Sequence, residues 1–330
     1  MPGLVCDHKD SGLTMPDFYV NDGKLEERNV GFLTPTDPHN TTLEELRKRL
    51  TDDGYLFLKG LLPRQDVLEV RKNYFQYLKS TDLLKPGTRP VEGVFDLSRP
   101  AADYPGIGTG REGTGTERSK DFMDLAIRAH GESWYKDDLC KHPVMEAFIA
   151  KLTGWDSDTL GLQRTLLRNN LPGNAAIGVH YDYIFLRHGE DSVLTSWIPI
   201  GDIKLEGHEL GRNIESDFTE HAIETGLTPE QAKSAFNQNM MSGGVLTQGA
   251  KEFAEQHQRR WLVSAYEAGD VVIHNSYMNR ASLTADEIHA STVNHDPDGI
   301  IRLATDLRFV DKSRNWDTRW AKIYEDGDGV

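Results

Sequence analysis

The texture of the chain changes at Thr159, and that change limits the folds open to it. Before Thr159, apolar residues recur at helical spacing; after it, short apolar runs are split by turn residues. Thr42-x-x-Glu45 is a capping box, and Leu43, Leu46 and Leu50 follow on one helical face as far as Asp53-Gly54. Tyr55-Leu56-Phe57-Leu58 reads as a strand closed by Lys59-Gly60. Pro63 sits near the start of a second helix with Val67, Val70, Tyr74 and Leu78 along one side. Residues 85–118 read as a long loop, and helices are expected over Asp121–Ala129 and His142–Leu152. Candidate strands follow at Thr159–Leu167, Ala176–Tyr183, Val193–Ile200, Asp270–His274 and Arg302–Val310. Turns are expected at Pro172-Gly173-Asn174 and Asp296-Pro297-Asp298-Gly299. Glu220–His257 looks helical, with a break at Gly243-Gly244.

The expected architecture is a single domain over residues 1–330, mainly β with helices: a helical N-terminal part packed on a C-terminal β-barrel. Residues 1–40 form an extended arm and 41–158 a mostly helical support. Residues 159–310 form the barrel core, with an inserted helical segment at about 215–258, and 311–330 a C-terminal helix and tail.

Charge narrows the partners. Lys plus Arg number 37 and Asp plus Glu 52, a net charge of −15. Nucleic-acid binding and adsorption to anionic lipid both need basic surface, so neither is expected. No apolar run is long enough to span a membrane, and Met1–Asp7 lacks the basic and apolar regions of a secretory signal. Two cysteines, Cys6 and Cys140, make neither a disulfide framework nor a Cys-rich zinc site. The expectation is a soluble, cytoplasmic protein with a small-molecule substrate; a homo- or heterodimer stays open.

The segment Ala176-Ile177-Gly178-Val179-His180-Tyr181-Asp182-Tyr183 carries chemistry. On a strand, positions i and i+2 share a face, so His180 and Asp182 would project together. With a second histidine from a distant strand they would form a 2-His-1-carboxylate triad, which leaves coordination positions open and suits non-haem Fe(II). His-x-Asp alone is a weak signal. Downstream lie Gly269-Asp270-Val271-Val272-Ile273-His274, then Ile288-His289-Ala290-Ser291-Thr292, then Ile301-Arg302-Leu303-Ala304-Thr305-Asp306-Leu307-Arg308-Phe309.

Taken jointly with Asp53-Gly54-Tyr55 and the Thr165–Asp182 segment, these motifs resemble the phytanoyl-CoA dioxygenase family of Fe(II)/2-oxoglutarate oxygenases over roughly residues 40–320, closest to its fungal biosynthetic branch. The resemblance implies a double-stranded β-helix (jelly-roll, cupin-like) core, with Fe(II) and 2-oxoglutarate as cofactors and O2 as co-reactant. It implies oxidation of a C–H bond of a small organic molecule, by hydroxylation, desaturation or rearrangement, in secondary metabolism. By position, His180, Asp182 and His289 match the iron ligands, and Arg302 the clamp on the far carboxylate of 2-oxoglutarate, which a guanidinium can hold in bidentate fashion. Ser291 matches a hydroxyl on that carboxylate; Trp197 and Thr165 lie where family members contact the cosubstrate. No catalytic residue beyond the metal ligands is implied. Asp182 argues against a halogenase, in which halide needs the carboxylate's place.

Three histidines compete for the distal position. His274 ends a strand where the family carries a structural histidine, and His295 sits in a polar turn. If Asn279–Glu287 is an inserted loop, Ile288-His289 restores the family register. His188 and His208 read as surface residues. The alternating polar set Arg302, Ala304, Asp306, Arg308 is either a solvated strand face or a lining of the barrel, with Arg308 as a structural ion-pair residue. Arg64, Arg71 and Lys72 could form a local basic groove. Glu325-Asp326-Gly327-Asp328 lacks the later acidic ligand of a calcium loop. Near Leu205–Leu210 a family strand reads as shortened or missing. That departure and the Asn279–Glu287 insertion motivate a second function, an impaired barrel serving as a binding or partner subunit; a cupin-like metalloenzyme without 2-oxoglutarate is a third.

Overall fold

Residues 16–106, 113–180, 182, 192–205, 209–213, 245–275 and 287–323 are described by a computed structural model. The arm expected over residues 1–40 is corrected over its described part, which is tied into the sheets. There, β1 (Tyr19–Val20) and β2 (Gly23–Lys24) make a ribbon, and β3 (Val30–Phe32) and β4 (Pro35–Thr36) join larger sheets. Burial explains it: Phe18, Val20, Leu25, Val30 and Leu33 are all under a tenth exposed.

The N-terminal half then runs α1 (Leu43–Asp53), β5 (Tyr55–Leu58), α2 (Arg64–Tyr77), α3 (Glu117–Arg128), α4 (Ser133–Lys136) and α5 (Pro143–Thr153). The Thr42 hydroxyl accepts the Glu45 N–H at 3.2 Å, and Gly54 closes α1 at φ 80°, a left-handed turn that glycine adopts without penalty. The remaining elements are β6 (Thr159–Gly161), β7 (Leu166–Asn170), β8 (Leu194–Pro199), β9 (Glu209–Asn213), α6 (Ala250–Gln256), β10 (Trp261–Val263), β11 (Val271–Asn275), β12 (Glu287–Ser291) and β13 (Arg302–Asp311).

A seven-stranded sheet runs β4-β5-β11-β8-β13-β6, with β7 also on β13; a four-stranded sheet runs β12-β9-β10-β3. The two-residue period of the large sheet sorts its side chains. Leu56, Leu58, Ile198, Val271, Ile273, Leu303, Leu307 and Phe309 pack with Val67, Phe75, Phe122 and Ile149 of the helices in the main core. The alternate positions Tyr55, Phe57, Trp197, Val272 and Ala304 form a separate cluster on the other face. Arg302 and Arg308 lie on that second face and are 8% and 2% exposed, so the polar alternation of β13 is buried rather than solvated.

Several expected elements differ. Thr159–Leu167 is two strands, because residues 162–165 separate the stretch paired to Phe309–Asp311 from the stretch paired to Arg302–Asp306. Among the described residues of Ala176–Tyr183, only Val179 and His180 make bridges, to Thr247 and His289, and there is no regular strand. Where a strand was expected to be shortened or missing, a strand of five residues, β9, is present, paired with β12 and through Leu262↔Gly211 with β10. Of the helical insertion, α6 is described and 214–244 lies outside the described residues. Most of the insertion Asn279–Glu287, with His188 and His208, also lies outside them. At the C-terminus a 3-10 turn, Thr318–Ala321, stands where a helix was expected.

The basic groove is also corrected. Arg71 is 3% exposed and donates to the carbonyls of Val91, Glu92, Ile200 and Ile301 at 2.9–3.1 Å. Arg64 forms a two-pronged pair with Asp202 at 2.6 and 2.7 Å, and Lys72 pairs with Glu69. No described helix is long and apolar enough to cross a membrane.

Candidate metal centre

His180 and His289 are brought together by backbone pairing. Each donates its N–H to the other's carbonyl at 2.8 Å, which adds residue 180 to the edge of the four-stranded sheet beside β12. On the neighbouring side Gly178 lets the chain pass close to Thr247, since a Cβ there would lie 2.5 Å from the Thr247 carbonyl oxygen. The two imidazole centroids are 4.2 Å apart. Asp182 is carried to the same place from the chain side, and ligand atoms of His180, Asp182 and His289 all lie within 4.8 Å of one another.

Each side chain is oriented by a partner. His180 Nδ1 lies 2.9 Å from the Gly178 carbonyl, so that nitrogen carries the proton and Nε2 keeps its lone pair. Burial first, then the neighbouring His289, pushes the His180 pKa down to about 3, which favours the neutral, ligating form. Asp182 Oδ2 accepts from the Thr195 hydroxyl at 2.8 Å and pairs with Arg308 Nη2 at 3.1 Å. Its Oδ1 lies 3.7 Å from His289 Nε2. Burial opposes ionisation of Asp182, but Arg308 and the histidines 289, 274 and 180 outweigh it and hold the carboxyl well below the usual carboxylate range. Two imidazoles and one ionised carboxylate therefore converge. That donor set fits Fe(II) and leaves part of the coordination sphere open.

His274 stands on β11 opposite Thr195, with its ring 5.2 Å from that of His289, but it is not in the group of three. His295 is exposed and stacks at a tilt on Tyr19.

A cavity lies farther along the strands that carry His289 and Arg308. Arg302, Ser291 and Trp197 line it together, with Arg168, Asn170 and Asp306. Ser291 lies two residues beyond His289 on β12, and Asp306 two before Arg308 on β13, about 7 Å along an extended strand. Arg302 rests on Thr292, with Nη2 3.2 Å from its carbonyl and Nη1 3.4 Å from its hydroxyl. The space is narrow, about 20 Å³, enough for water; a five-carbon diacid enters only if lining side chains shift. Thr165 is placed elsewhere: its hydroxyl accepts from Tyr135 at 2.7 Å in the core, and it does not line the cavity.

Sequence reasoning named Arg308 as an ion-pair residue without its acid and Asp306 only as one of an alternating polar set, and it missed Thr195 and Arg168. Thr195 had a usable signal, two residues before Trp197 and so on the same strand face. Arg168 faces Ala304 across β7 and β13, a pairing that no local pattern reveals. Burial raises the Asp306 carboxyl above its ordinary value, against Arg168 and Arg308.

No protein-family model and no curated protein matches the sequence. Among solved structures, the chain is similar to the non-heme α-ketoglutarate-dependent epimerase SnoN from nogalamycin biosynthesis (15% identity, 82% of each chain covered, TM-score 0.42). It is similar to the carbocyclase SnoK of the same biosynthesis (16% identity, 84% of this chain and 87% of that one, TM-score 0.46). It is also similar to EvdO2 from Micromonospora carbonacea var. aurantiaca complexed with 2-oxoglutarate (13% identity, 82% and 92%, TM-score 0.42).

Proposed function

We propose that the protein is an Fe(II)/2-oxoglutarate-dependent dioxygenase that oxidises a C–H bond of a small organic molecule, built on a jelly-roll core of the phytanoyl-CoA dioxygenase type. One observation carries the reading: His180, Asp182 and His289 converge near a cavity that Ser291, two residues beyond His289, lines together with the Arg302 guanidinium. His180, Asp182 and His289 would hold iron; Arg302, with Ser291 and Trp197, would hold the far carboxylate of 2-oxoglutarate. When bound, the metal and cosubstrate supply the oxidising chemistry, in which 2-oxoglutarate and O2 give succinate, CO2 and an oxidised substrate.

The protein's own part is electrostatic and steric. Asp182 and the neutral His180 present ionised and lone-pair donors without a proton to displace near neutral pH. Arg302 is already braced by Thr292, so little side-chain freedom is lost when it takes up a carboxylate. Trp197, 8% exposed and edge-on to Tyr266 at 4.8 Å, gives the cavity an aromatic wall. The carboxylate at position 182 favours C–H oxidation over halogenation. A five-residue strand, β9, stands beside the stretch whose expected loss was one ground for an impaired barrel.

The test is aerobic incubation of metal-free protein with Fe(II) and 2-oxoglutarate, with succinate measured. Succinate formation that depends on both, and disappears in His180→Ala and Asp182→Ala, is expected. Wild-type succinate levels in those variants would end the reading. Turnover of a substrate without 2-oxoglutarate would replace it with a cosubstrate-free metalloenzyme.

A further inference from the structure

We infer that Arg308 and Thr195 are positioning residues that pin one oxygen of Asp182, so that only the other is free to ligate a metal. The inference rests on the reading of Asp182 as a metal ligand and goes beyond it.

The two oxygens of this carboxylate are held unequally. Oδ2 takes the Thr195 hydroxyl at 2.8 Å and Arg308 Nη2 at 3.1 Å; Oδ1 faces the His289 imidazole. The pin is built into the sheet register. Arg308 and Thr195 are direct partners on the adjacent antiparallel strands β13 and β8, so both side chains leave the same face at the same height. Neither has room to move: Thr195 is fully buried, Arg308 is 2% exposed, and the Trp320 ring lies 5.0 Å from the guanidinium carbon.

A carboxylate free to rotate can chelate a metal through both oxygens. Here that would require Oδ2 to give up a charge-assisted bond and a hydroxyl bond inside a buried site, where neither donor has water to turn to. Asp182 is therefore a one-oxygen ligand by construction. The consequence is functional, because three protein donor atoms leave room for a chelating cosubstrate and O2, whereas four would not. An arginine that merely balanced a buried charge could approach either oxygen. The convergence of Arg308 and Thr195 on the same oxygen distinguishes positioning from neutralisation.

The experiment uses Co(II) as the metal probe, with the full-length protein and its Thr195→Val, Arg308→Met, Arg308→Lys and Asp182→Asn variants. Thermal unfolding of the metal-free proteins first identifies those that are folded. Co(II) affinity is then read by calorimetry, and coordination number by the visible d–d spectrum. Thr195→Val should lower affinity about 10-fold and Arg308→Met up to about 100-fold, the range typical of lost outer-sphere partners. In both, the spectrum should shift towards a higher coordination number as the second oxygen joins; Arg308→Lys should restore part of the affinity. Folded Thr195→Val and Arg308→Met proteins with wild-type affinity and spectrum would overturn the inference. If Arg308→Met does not fold, an unchanged Thr195→Val spectrum overturns it alone. Wild-type Co(II) binding by Asp182→Asn would remove its premise. If Co(II) binds as expected but 2-oxoglutarate is never consumed, the proposed function fails and the pin stands.

Discussion

His130 should make the wall of the cavity acid-labile. Its ring is 2% exposed, with Nδ1 3.1 and 3.0 Å from the carbonyls of Ala126 and Ile127, and Nε2 accepting the Leu167 N–H at 2.9 Å. The neutral ring has one donor and one acceptor, and both are used. A second proton would set an N–H against the Leu167 N–H, at the head of the strand that carries Arg168 and Asn170 to the cavity. Burial, only partly offset by the two carbonyls, lowers the His130 pKa from 6.5 to about 4. The unfolded chain therefore takes up a proton first as pH falls. Stability from this group is complete above pH 6.5 and is lost progressively down to about pH 4. The gap of about 2.5 units, at 1.36 kcal/mol each, is worth about 3 kcal/mol. Urea unfolding of wild type and His130→Gln across that range isolates it, because acid effects from His180 and Asp182 act in both proteins. The stability advantage of wild type should shrink by about 3 kcal/mol between about pH 7 and about pH 4. An advantage that stays constant with pH would refute the argument.

Two further outcomes bear on the metal and its cosubstrate. His289→Ala should abolish Fe(II) binding, measured anaerobically by calorimetry, while His274→Ala keeps it; the reverse result would make His274 the ligand and place the inserted residues elsewhere. Arg302→Ala should raise the KM for 2-oxoglutarate while leaving Fe(II) affinity within twofold, roughly. A charge-assisted contact of about 1.5–3 kcal/mol corresponds to about 10- to 100-fold, and an unchanged KM would take Arg302 out of the cosubstrate site.

What the sequence discloses is which way a side chain faces, and what it withholds is what that side chain meets. Periodicity placed α1, α2, α3 and α5 to within a few residues, since each buries an apolar stripe on the large sheet. It did not find β3, β4 or β10, because two or three residues are too few to show a period. Nor did it find β9, whose sequence Glu-Leu-Gly-Arg-Asn has no alternation and whose place is set by β12. The same division runs through the site. His180, Asp182 and His289 stood out as residue types in a spaced pattern, and the structure brings those three together. The inserted-loop argument for His289 over His274 concerned residues that lie mostly outside the described ones; what the structure gives is the His180↔His289 bridge.

Arg308 shows where that logic stops. Alternation along β13 put Arg302, Asp306 and Arg308 on one face, and a buried arginine needs an acid. Two were within reach: Asp306 on the same strand and Asp182 from a segment that local pattern had read as a strand of its own. Only the pairing of β13 with β8 decides the matter, because it sets Arg308 level with Thr195 and sends both to one oxygen of Asp182. A sequence pattern can therefore nominate candidate ligands for a centre like this one. Which oxygen of Asp182 meets Arg308 and Thr195 is set by the register of β13 on β8.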